Sequence, residues 1–183
     1  MVESQLRTSG VNAEWVLRRM GEVAREDYVP ANRRNVAYMD RAVQLDGGGW
    51  LAGPVVHGLM LQEARPHHAD RVLLVDGGSG YLADLLRPAV ASVQVLDVAT
   101  ATAGTVPGDG YTLLLVDGAA EVLPPALLAA LAPDGRIVTG LVQDGVTRIA
   151  AGRVVEGAAA LLPLAEIGMP VLPAFAAPKT WSF

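Results

Sequence analysis

The sequence predicts a three-layer α/β fold in which a mainly parallel sheet follows a helical N-terminal region. From residue 67 onward, short apolar runs alternate with turn residues, which is typical of strands that helices cover on both faces. The 183 residues are 51% hydrophobic, which suffices for one domain with a full core. We therefore expect a single domain over residues 1–183, with a helical N-terminal region (1–66) and an α/β core (67–183).

Two helices are predicted in the N-terminal region. Asn12 is a favourable N-cap for the first helix. Its apolar stripe consists of Val16, Met20 and Val23. The second helix covers residues 55–64, and Pro66 ends it. Residues 47–49 are three glycines and predict a mobile or tightly turned loop before Trp50.

Six strands and two helices are predicted in the α/β core. The stronger strand candidates are rich in leucine or β-branched residues and are bounded by Gly, Asp or Pro: 71–75, 92–96, 112–116 and 136–142. Two weaker strand candidates lie nearer the C-terminus, at 146–154 and 161–167. Helical patterns occupy 81–86 and 124–131.

The charge pattern argues against a nucleic-acid partner. Lys and Arg number 14 against 19 Asp and Glu, so the net charge is −5, and no basic run is present. The pairs Arg18-Arg19 and Arg33-Arg34 are isolated, and we interpret them as solvated helix faces.

Other classes of protein are excluded on composition and hydropathy. The absence of cysteine excludes disulfides and thiol nucleophiles. The opening residues lack the apolar stretch of a secretory signal, and every apolar run is interrupted before the roughly 18 residues that a membrane span needs. We expect a soluble cytoplasmic protein with no membrane partner. His57 is interpreted as a packed or capping histidine rather than a base. The pair His67-His68 lacks a third ligand, so no metal site is expected.

Three predicted strands end in an aspartate: Asp76, Asp97 and Asp117. In an open parallel sheet, ligands bind beyond the carboxyl ends of the strands, so these carboxylates are expected at one functional edge. Taken singly, each aspartate is more simply the cap of the next turn or helix. The cluster leaves both interpretations open.

A glycine-rich loop joins the first core strand to the helix after it. Residues 72–86 read V-L-L-V-D-G-G-S-G-Y-L-A-D-L-L, a buried strand, a turn and a helix start, as in many nucleotide sites. The candidate cofactor-binding residues of this turn are Asp76, Gly77, Gly78, Ser79 and Gly80. An aspartate stands at the first loop position, where a glycine is expected, and the glycine after it is able to absorb the turn.

Five motifs occur in one order along most of the chain. They are residues 1–11 (M-V-E-S-Q-L-R-T-S-G-V), 25–30 (R-E-D-Y-V-P), 37–40 (A-Y-M-D), 78–81 (G-S-G-Y) and 131–138 (L-A-P-D-G-R-I-V). Together they resemble the motifs of the protein-L-isoaspartate O-methyltransferases. The resemblance implies a Rossmann-like methyltransferase fold, S-adenosylmethionine as the cofactor, and an isoaspartyl-containing protein or peptide as the partner.

The resemblance breaks where the family positions its substrate. The family's loop G-Q-T-I-S-x-P, whose serine lies at the substrate carboxylate, corresponds to residues 48–54, G-G-W-L-A-G-P, so Ala52 occupies the serine position. Alanine has no donor or acceptor to orient a carboxylate, and lost alignment costs orders of magnitude in rate. No catalytic residue is therefore assigned. Trp50 either closes over a substrate or fills an empty pocket.

The cofactor loop departs from the family as well. The family's E-I-G-T-G-S-G-Y becomes L-V-D-G-G-S-G-Y at residues 74–81, so Leu74 replaces an acid and Asp76 replaces the first glycine. A β-carbon at that glycine obstructs close approach to the ligand. Asp76 either binds the ammonium group of the cofactor or caps the following helix. Asp97, which lies 17 positions after Gly80, has the spacing of the acid that binds ribose hydroxyls.

One βα unit of the family is expected to be missing. Only residues 98–110 separate Asp97 from the strand that begins near Tyr111, whereas the family places a helix, a strand and a second helix there. We expect an irregular connection, an adenine pocket without one wall, and a second core strand at the sheet edge. Either a homodimer or the apolar tail is expected to cover the exposed side. The tail runs from Pro170 and contains Phe175, Trp181 and Phe183.

Three functions follow from these observations. The preferred one is an isoaspartyl methyltransferase homologue with reduced or lost catalysis, retained as a binding or dimerising module. The second is an active S-adenosylmethionine-dependent carboxyl methyltransferase that repairs isoaspartyl residues and holds the cofactor with Gly77 to Gly80 and Asp97. The third is a binder of a small cationic ligand that uses Asp76, Asp97 and Asp117.

Overall fold

A computed structural model describes residues 1–178 and contains a two-stranded and a six-stranded sheet. The strands are β1 (Val43–Gln44), β2 (Trp50–Leu51), β3 (Arg71–Asp76), β4 (Ser92–Asp97), β5 (Tyr111–Ala120), β6 (Leu131–Gln143), β7 (Val146–Val155) and β8 (Ala158–Glu166). The α-helices are α1 (Glu14–Glu22), α2 (Pro54–Ala64), α3 (Tyr81–Leu86), α4 (Val98–Thr102) and α5 (Pro125–Ala129). Shorter helical turns lie at Val2–Leu6, Arg7–Ser9, Arg25–Tyr28, Ala31–Val36, Arg87–Ala89 and Pro173–Phe175.

The large sheet has the strand order β4-β3-β5-β6-β7-β8. Its first four strands are parallel, and β7 and β8 continue it as antiparallel strands. Residues 72–75 of β3 are fully buried, as expected for a parallel strand with both faces covered. The predicted Rossmann-like α/β fold is confirmed, and β4 lies at a sheet edge as the missing unit requires.

The connection after β4 is not wholly irregular, and that part of the prediction is wrong. Residues 98–102 form the short helix α4 because the Asp97 carboxylate accepts a hydrogen bond from the Thr100 backbone N–H at 2.6 Å. A helix of five residues is too short to form without such a cap and tertiary packing. It packs against the turn at Pro173–Phe175.

The helix α1 has its N-cap one residue after the predicted one. Its N-cap is Ala13 rather than Asn12, and the Asn12 side chain instead donates to the Gly10 carbonyl. The side chain of Gln62 on α2 accepts from the Asn12 and Ala13 backbone N–H groups at 2.7 and 3.1 Å. A residue distant in sequence therefore satisfies the start of α1, which no local pattern reveals.

Three predicted strands have shifted boundaries because the strands are longer than their apolar runs. The strand β5 continues to Ala120, so Asp117 lies within it, next to an irregularity in the pairing with β6, and not at its end. The strand β6 begins at Leu131, so the helix expected over 124–131 is shortened to α5. The antiparallel strand β8 begins at Ala158, three residues before the prediction.

Apolar side chains pack on both faces of the large sheet. The helices α1, α2 and α3 cover one face, and α4, α5 and residues 172–175 cover the other. Phe175 of the C-terminal tail is only 2% exposed, whereas Trp181 and Phe183 lie outside the described residues. Within residues 1–178, no helix has both the length and the apolar content that a membrane crossing requires.

Candidate functional site

The glycine loop after β3 is held together by Asp76. One carboxylate oxygen of Asp76 accepts from the Gly78 backbone N–H at 2.8 Å, and the two oxygens accept from the Gly80 N–H at 3.0 and 3.1 Å. Gly80 has a φ of 73°, a left-handed conformation that favours glycine, and it precedes α3 directly. The aspartate therefore caps the loop internally, and its carboxylate takes up two of the loop's backbone donors.

A second carboxylate lies close beneath the loop. A β-carbon built on Gly77 would be 2.6 Å from the Asp117 carbonyl oxygen and 3.5 Å from the Asp117 carboxyl carbon. Burial and the neighbouring Asp117 charge raise the pKa of Asp76, against the lowering effect of its two backbone hydrogen bonds. Asp76 is therefore an electrostatically costly carboxylate, which the loop geometry nevertheless keeps in place.

The third aspartate lies beside the first on the neighbouring strand. Asp97 pairs in register with Asp76 at the ends of β4 and β3, but its side chain is exposed. The backbone and side chain of Thr100 hydrogen-bond the Asp97 carboxylate and lower its pKa. The three aspartates therefore lie at neighbouring positions near the carboxyl edge of the sheet, as expected. Ligand binding by these aspartates stays a prediction.

Asp117 belongs to a buried polar chain that sequence reasoning missed. Its Oδ1 lies 3.0 Å from His57 Nε2, and its Oδ2 has no hydrogen-bond partner among the described residues. On the other side of the ring, Arg25 Nη1 lies 3.2 Å from His57 Nδ1. An arginine only donates, so Nδ1 accepts and the histidine carries its proton on Nε2, which donates to Asp117.

Arg25 anchors this chain to the backbone around the position of the family's serine. It is fully buried, and it donates from Nε to the Ala37 carbonyl at 2.9 Å and from Nη2 to the Ala52 carbonyl at 2.6 Å. Its guanidinium also lies 4.8 Å from the centre of the Tyr81 ring, and burial lowers its pKa. His57 is packed, as predicted, but it links a cation to a carboxylate. The signals in the sequence were the arginine of R-E-D-Y-V-P and a histidine in an otherwise apolar helix.

The glycine-rich segment before Trp50 lies directly on the glycine loop after β3. The Trp50 backbone N–H donates to the Gly77 carbonyl at 2.9 Å, and Trp50 pairs with Gly78 in a parallel bridge. A β-carbon on Gly49 would be 2.5 Å from the Gly77 carbonyl oxygen and 2.9 Å from the Gly78 Cα. The family's motif has glutamine at this position, so the close backbone approach depends on the glycine found here.

The C-terminal tail covers the next part of the same edge. The Leu172 N–H donates to the Ala119 carbonyl at 2.8 Å, and the Phe175 carbonyl accepts from the Glu121 and Val122 N–H groups at 3.1 and 3.0 Å. A β-carbon on Gly118 would lie 2.6 Å from the Leu172 side chain. Residues 170–175 of the tail thus pack tightly over the end of β5.

A groove of about 580 Å³ opens beside this covered edge. It lies between Arg41, the side chain of Trp50, Gly53 and the segment 167–171 that leads into the tail. Trp50 is 38% exposed and forms part of the wall. Asp40 also lines the groove, and its carboxylate accepts from the Val55 backbone N–H at 3.3 Å. Sequence reasoning missed Arg41, the residue that follows A-Y-M-D.

Comparison with known proteins agrees with this architecture. The family profile "Protein-L-isoaspartate(D-aspartate) O-methyltransferase (PCMT)" matches residues 1–103. The protein-L-isoaspartate O-methyltransferase of Methanoculleus marisnigri is 33% identical over 162 aligned positions, which cover 75% of this chain and 74% of the relative. That of Protochlamydia amoebophila is 30% identical and covers 75% and 77%.

A solved structure has the same fold. The protein-L-isoaspartate O-methyltransferase of Plasmodium falciparum, solved in complex with S-adenosyl-L-homocysteine, superposes with a TM-score of 0.73 over 92% of this chain and 95% of that one, at 16% identity. The cofactor class expected from the resemblance, S-adenosylmethionine, is thereby confirmed for the family, since this structure holds its demethylated product. By sequence and by fold, the chain belongs to the protein-L-isoaspartate O-methyltransferase family.

Proposed function

We propose that this chain is an isoaspartyl methyltransferase homologue with reduced or lost methyl transfer, retained as a binding module for isoaspartyl-containing proteins or peptides. The observation that carries the proposal is the Asp76 carboxylate, which accepts the Gly78 and Gly80 N–H groups. This negatively charged side chain takes the place of a ligand that needs these donors, and it lies half-buried near Asp117.

The residues of the loop do not fit S-adenosylmethionine bound as the family's motif implies. The Gly77 carbonyl already accepts from Trp50, and backbone from Gly49 lies against Gly78. Opening the loop requires breaking these contacts, so any cofactor binding is opposed by their free energy. We therefore derive no catalytic step for this chain.

Loss of the substrate-positioning hydroxyl supports the same proposal. Ala52 is buried, and its carbonyl accepts from Arg25, so the backbone at this position serves the packing of the arginine. The methyl group offers no donor to a substrate carboxylate. The neighbouring groove instead supplies Arg41 and Trp50 as contacts for an acidic peptide.

An active carboxyl methyltransferase is the second candidate. The registered position of Asp97 beside Asp76 at the sheet edge favours it, because an acid at the end of the second core strand is where the family binds ribose. The third candidate, a binder of a small cationic ligand, is favoured by Oδ2 of Asp117, which has no hydrogen-bond partner within residues 1–178.

Titration calorimetry distinguishes these functions. We expect no heat from S-adenosylmethionine or S-adenosyl-L-homocysteine, no methyl transfer to an isoaspartyl peptide, and measurable binding of that peptide that weakens in Arg41→Gln but not in Arg34→Gln, an exposed arginine of the turn at Ala31–Val36. Micromolar cofactor binding that weakens in Asp97→Ala would overturn the proposal in favour of the second candidate. A cationic ligand lost in Asp117→Asn would favour the third.

A further inference from the structure

A second concave site lies at the opposite edge of the sheet from the glycine loop. It is a pocket of about 370 Å³ between α1, the loop that leads into β3, and the turn that leads into β4. Strands β3 and β4 begin at this edge, so the pocket is separated from the carboxyl edge by the length of the strands. It shares no residue with the groove beside Trp50.

One face of α1 supplies the polar wall of this pocket. Trp15, Arg18, Arg19 and Glu22 follow the i, i+3, i+4, i+7 spacing, so they lie on one stripe of the helix, while Val16, Leu17 and Met20 face the core. The pair Arg18-Arg19, predicted from the sequence to be a solvated face, therefore lines a concavity. His67 and His68 line it from the opposite side.

The charges of the pocket favour an anion. Its wall contains two arginines against one glutamate, and that glutamate is paired with Arg19 at 3.0 Å. Arg19 is held by this pair and by its bond from Nη2 to the Asp84 carbonyl at 2.9 Å, while its Nε–H has no acceptor among the described residues. Arg18 is exposed and forms no ion pair within residues 1–178. The local excess of cations stands out on a chain whose net charge is −5.

The remaining surface of the pocket favours a flat apolar group. Trp15 is half-buried, and Leu85, Pro66 and Pro88 also line the pocket. An indole face stacks on aromatic rings and an arginine fork matches phosphate oxygens, so the two wall types recognise the two halves of one ligand. We propose that this pocket binds a nucleoside monophosphate, with the base on Trp15 and the phosphate at Arg18 and the two histidines.

Calorimetry with adenosine monophosphate tests the site, with adenosine and inorganic phosphate as the two half-ligands. Adenosine monophosphate is expected to bind more tightly than either half, and added salt is expected to weaken it. Because a hydrogen bond to a charged group is lost, Arg18→Gln should weaken binding by about tenfold or more, while Arg34→Gln leaves it unchanged. Trp15→Leu should also weaken binding by about tenfold through lost stacking.

The outcomes separate this site from the carboxyl edge. Asp97→Ala leaves adenosine monophosphate binding unchanged if the pocket at α1 is the site, whatever the result for S-adenosylmethionine. Trp15 is partly buried, so the exposed Arg18 provides the decisive variant should Trp15→Leu fail to fold. Absence of binding at millimolar nucleotide, undiminished binding in Arg18→Gln, or loss of binding in Asp97→Ala would each overturn the proposal.

Discussion

At the scale of single residues, the central feature is a set of carboxylates with different environments. Asp76 is bound by loop amides, Asp97 caps α4 in solvent, and Asp117 is 2% exposed and bonded to His57. The same residue type therefore has three different structural roles at three neighbouring strand positions. Burial and the nearest donor decide which, because an aspartate is stable only where its charge is hydrogen-bonded or hydrated.

Replacement of Asp76 by asparagine should change how stability depends on pH. The pKa of Asp76 is raised in the folded protein, so the folded state holds this proton more tightly than the unfolded chain does. Ionisation of Asp76 therefore removes stability as the pH rises from the ordinary aspartate value through the raised one. We expect this loss in the wild type and its absence in Asp76→Asn, measured by urea denaturation from about pH 3.5 to about pH 7.

Asp97→Asn provides the control because the pKa of Asp97 is shifted in the opposite direction, so its effect on stability changes with pH in the opposite sense. The pKa of Asp97 is lowered by the Thr100 hydrogen bonds, so this residue contributes stability above the ordinary aspartate pKa and loses it as the pH falls. The asparagine variant should lose that contribution near neutral pH. If both variants shift the pH profile in the same direction, the assigned environments are wrong.

Replacement of His57 by leucine should be strongly destabilising. The substitution leaves an Nη1 donor of Arg25 and the Asp117 carboxylate buried without their shared partner. Stranded buried charges of this kind cost about 3 kcal/mol or more in the free energy of unfolding. Replacement of the exposed His68 by glutamine should change the free energy of unfolding by less than about 0.5 kcal/mol. Urea denaturation that gives equal stabilities for the two variants would contradict the buried chain.

At the scale of elements, the segment before Trp50 and the glycine loop form one closed unit. Their backbones touch because Gly49 and Gly78 both lack a β-carbon. The tail beyond β8 closes the neighbouring stretch through Leu172 and Phe175. These two segments together cover part of the carboxyl edge, and α4 is the one helix or strand within residues 98–110, between β4 and β5.

Gly49→Ala tests this closure against a matched glycine. The new methyl group would be 2.5 Å from the Gly77 carbonyl, and the backbone on both sides must move, at a cost of about 1–3 kcal/mol in stability. Gly47→Ala, whose methyl group meets no atom within 4 Å, should leave stability nearly unchanged. Hydrogen exchange should also speed up at Trp50 in Gly49→Ala alone, since its N–H bonds to Gly77. Equal exchange in both variants would contradict the contact.

At the scale of the whole molecule, the large sheet has an edge on each side. The strand β4 forms one edge, and β8 forms the other, with Leu162 66% and Leu164 42% exposed. Residues 158–165 of β8 carry no charge, which is unusual for an edge strand that faces water. The predicted homodimer is therefore better placed at β8 than at β4, whose end carries Asp97.

Mass measurement in solution tests this arrangement. We expect about twice the chain mass of 19.1 kDa by light scattering at micromolar concentration, and the monomer mass for Leu162→Lys, because a lysine on the strand disfavours edge pairing. Val122→Lys, a lysine at an exposed valine outside β8, should remain dimeric. A monomeric wild type would contradict the homodimer.

Much of the fold follows from local sequence, and the exceptions have physical causes. The apolar runs located all six core strands. For β3 and β5 the reason is that a strand buried on both faces has little other composition open to it. The start of α1 and the extension of β5 past Asp117 were missed because Gln62 and the pairing with β6 decide them. Both partners are distant in sequence, so no window of residues contains the cause.

The features of the candidate site also fall into those that follow from the sequence and those that follow from tertiary structure. The sequence alone determined the family, the edge at which the aspartates gather, the alanine in place of serine and the missing unit, because each depends on residue identity or chain length. Tertiary structure decided that Asp76 binds its own loop, that Arg25 and Asp117 share His57, and that Gly49 brings a second segment onto the first. These features depend on which groups come within hydrogen-bond distance, and only the packing of distant segments determines that.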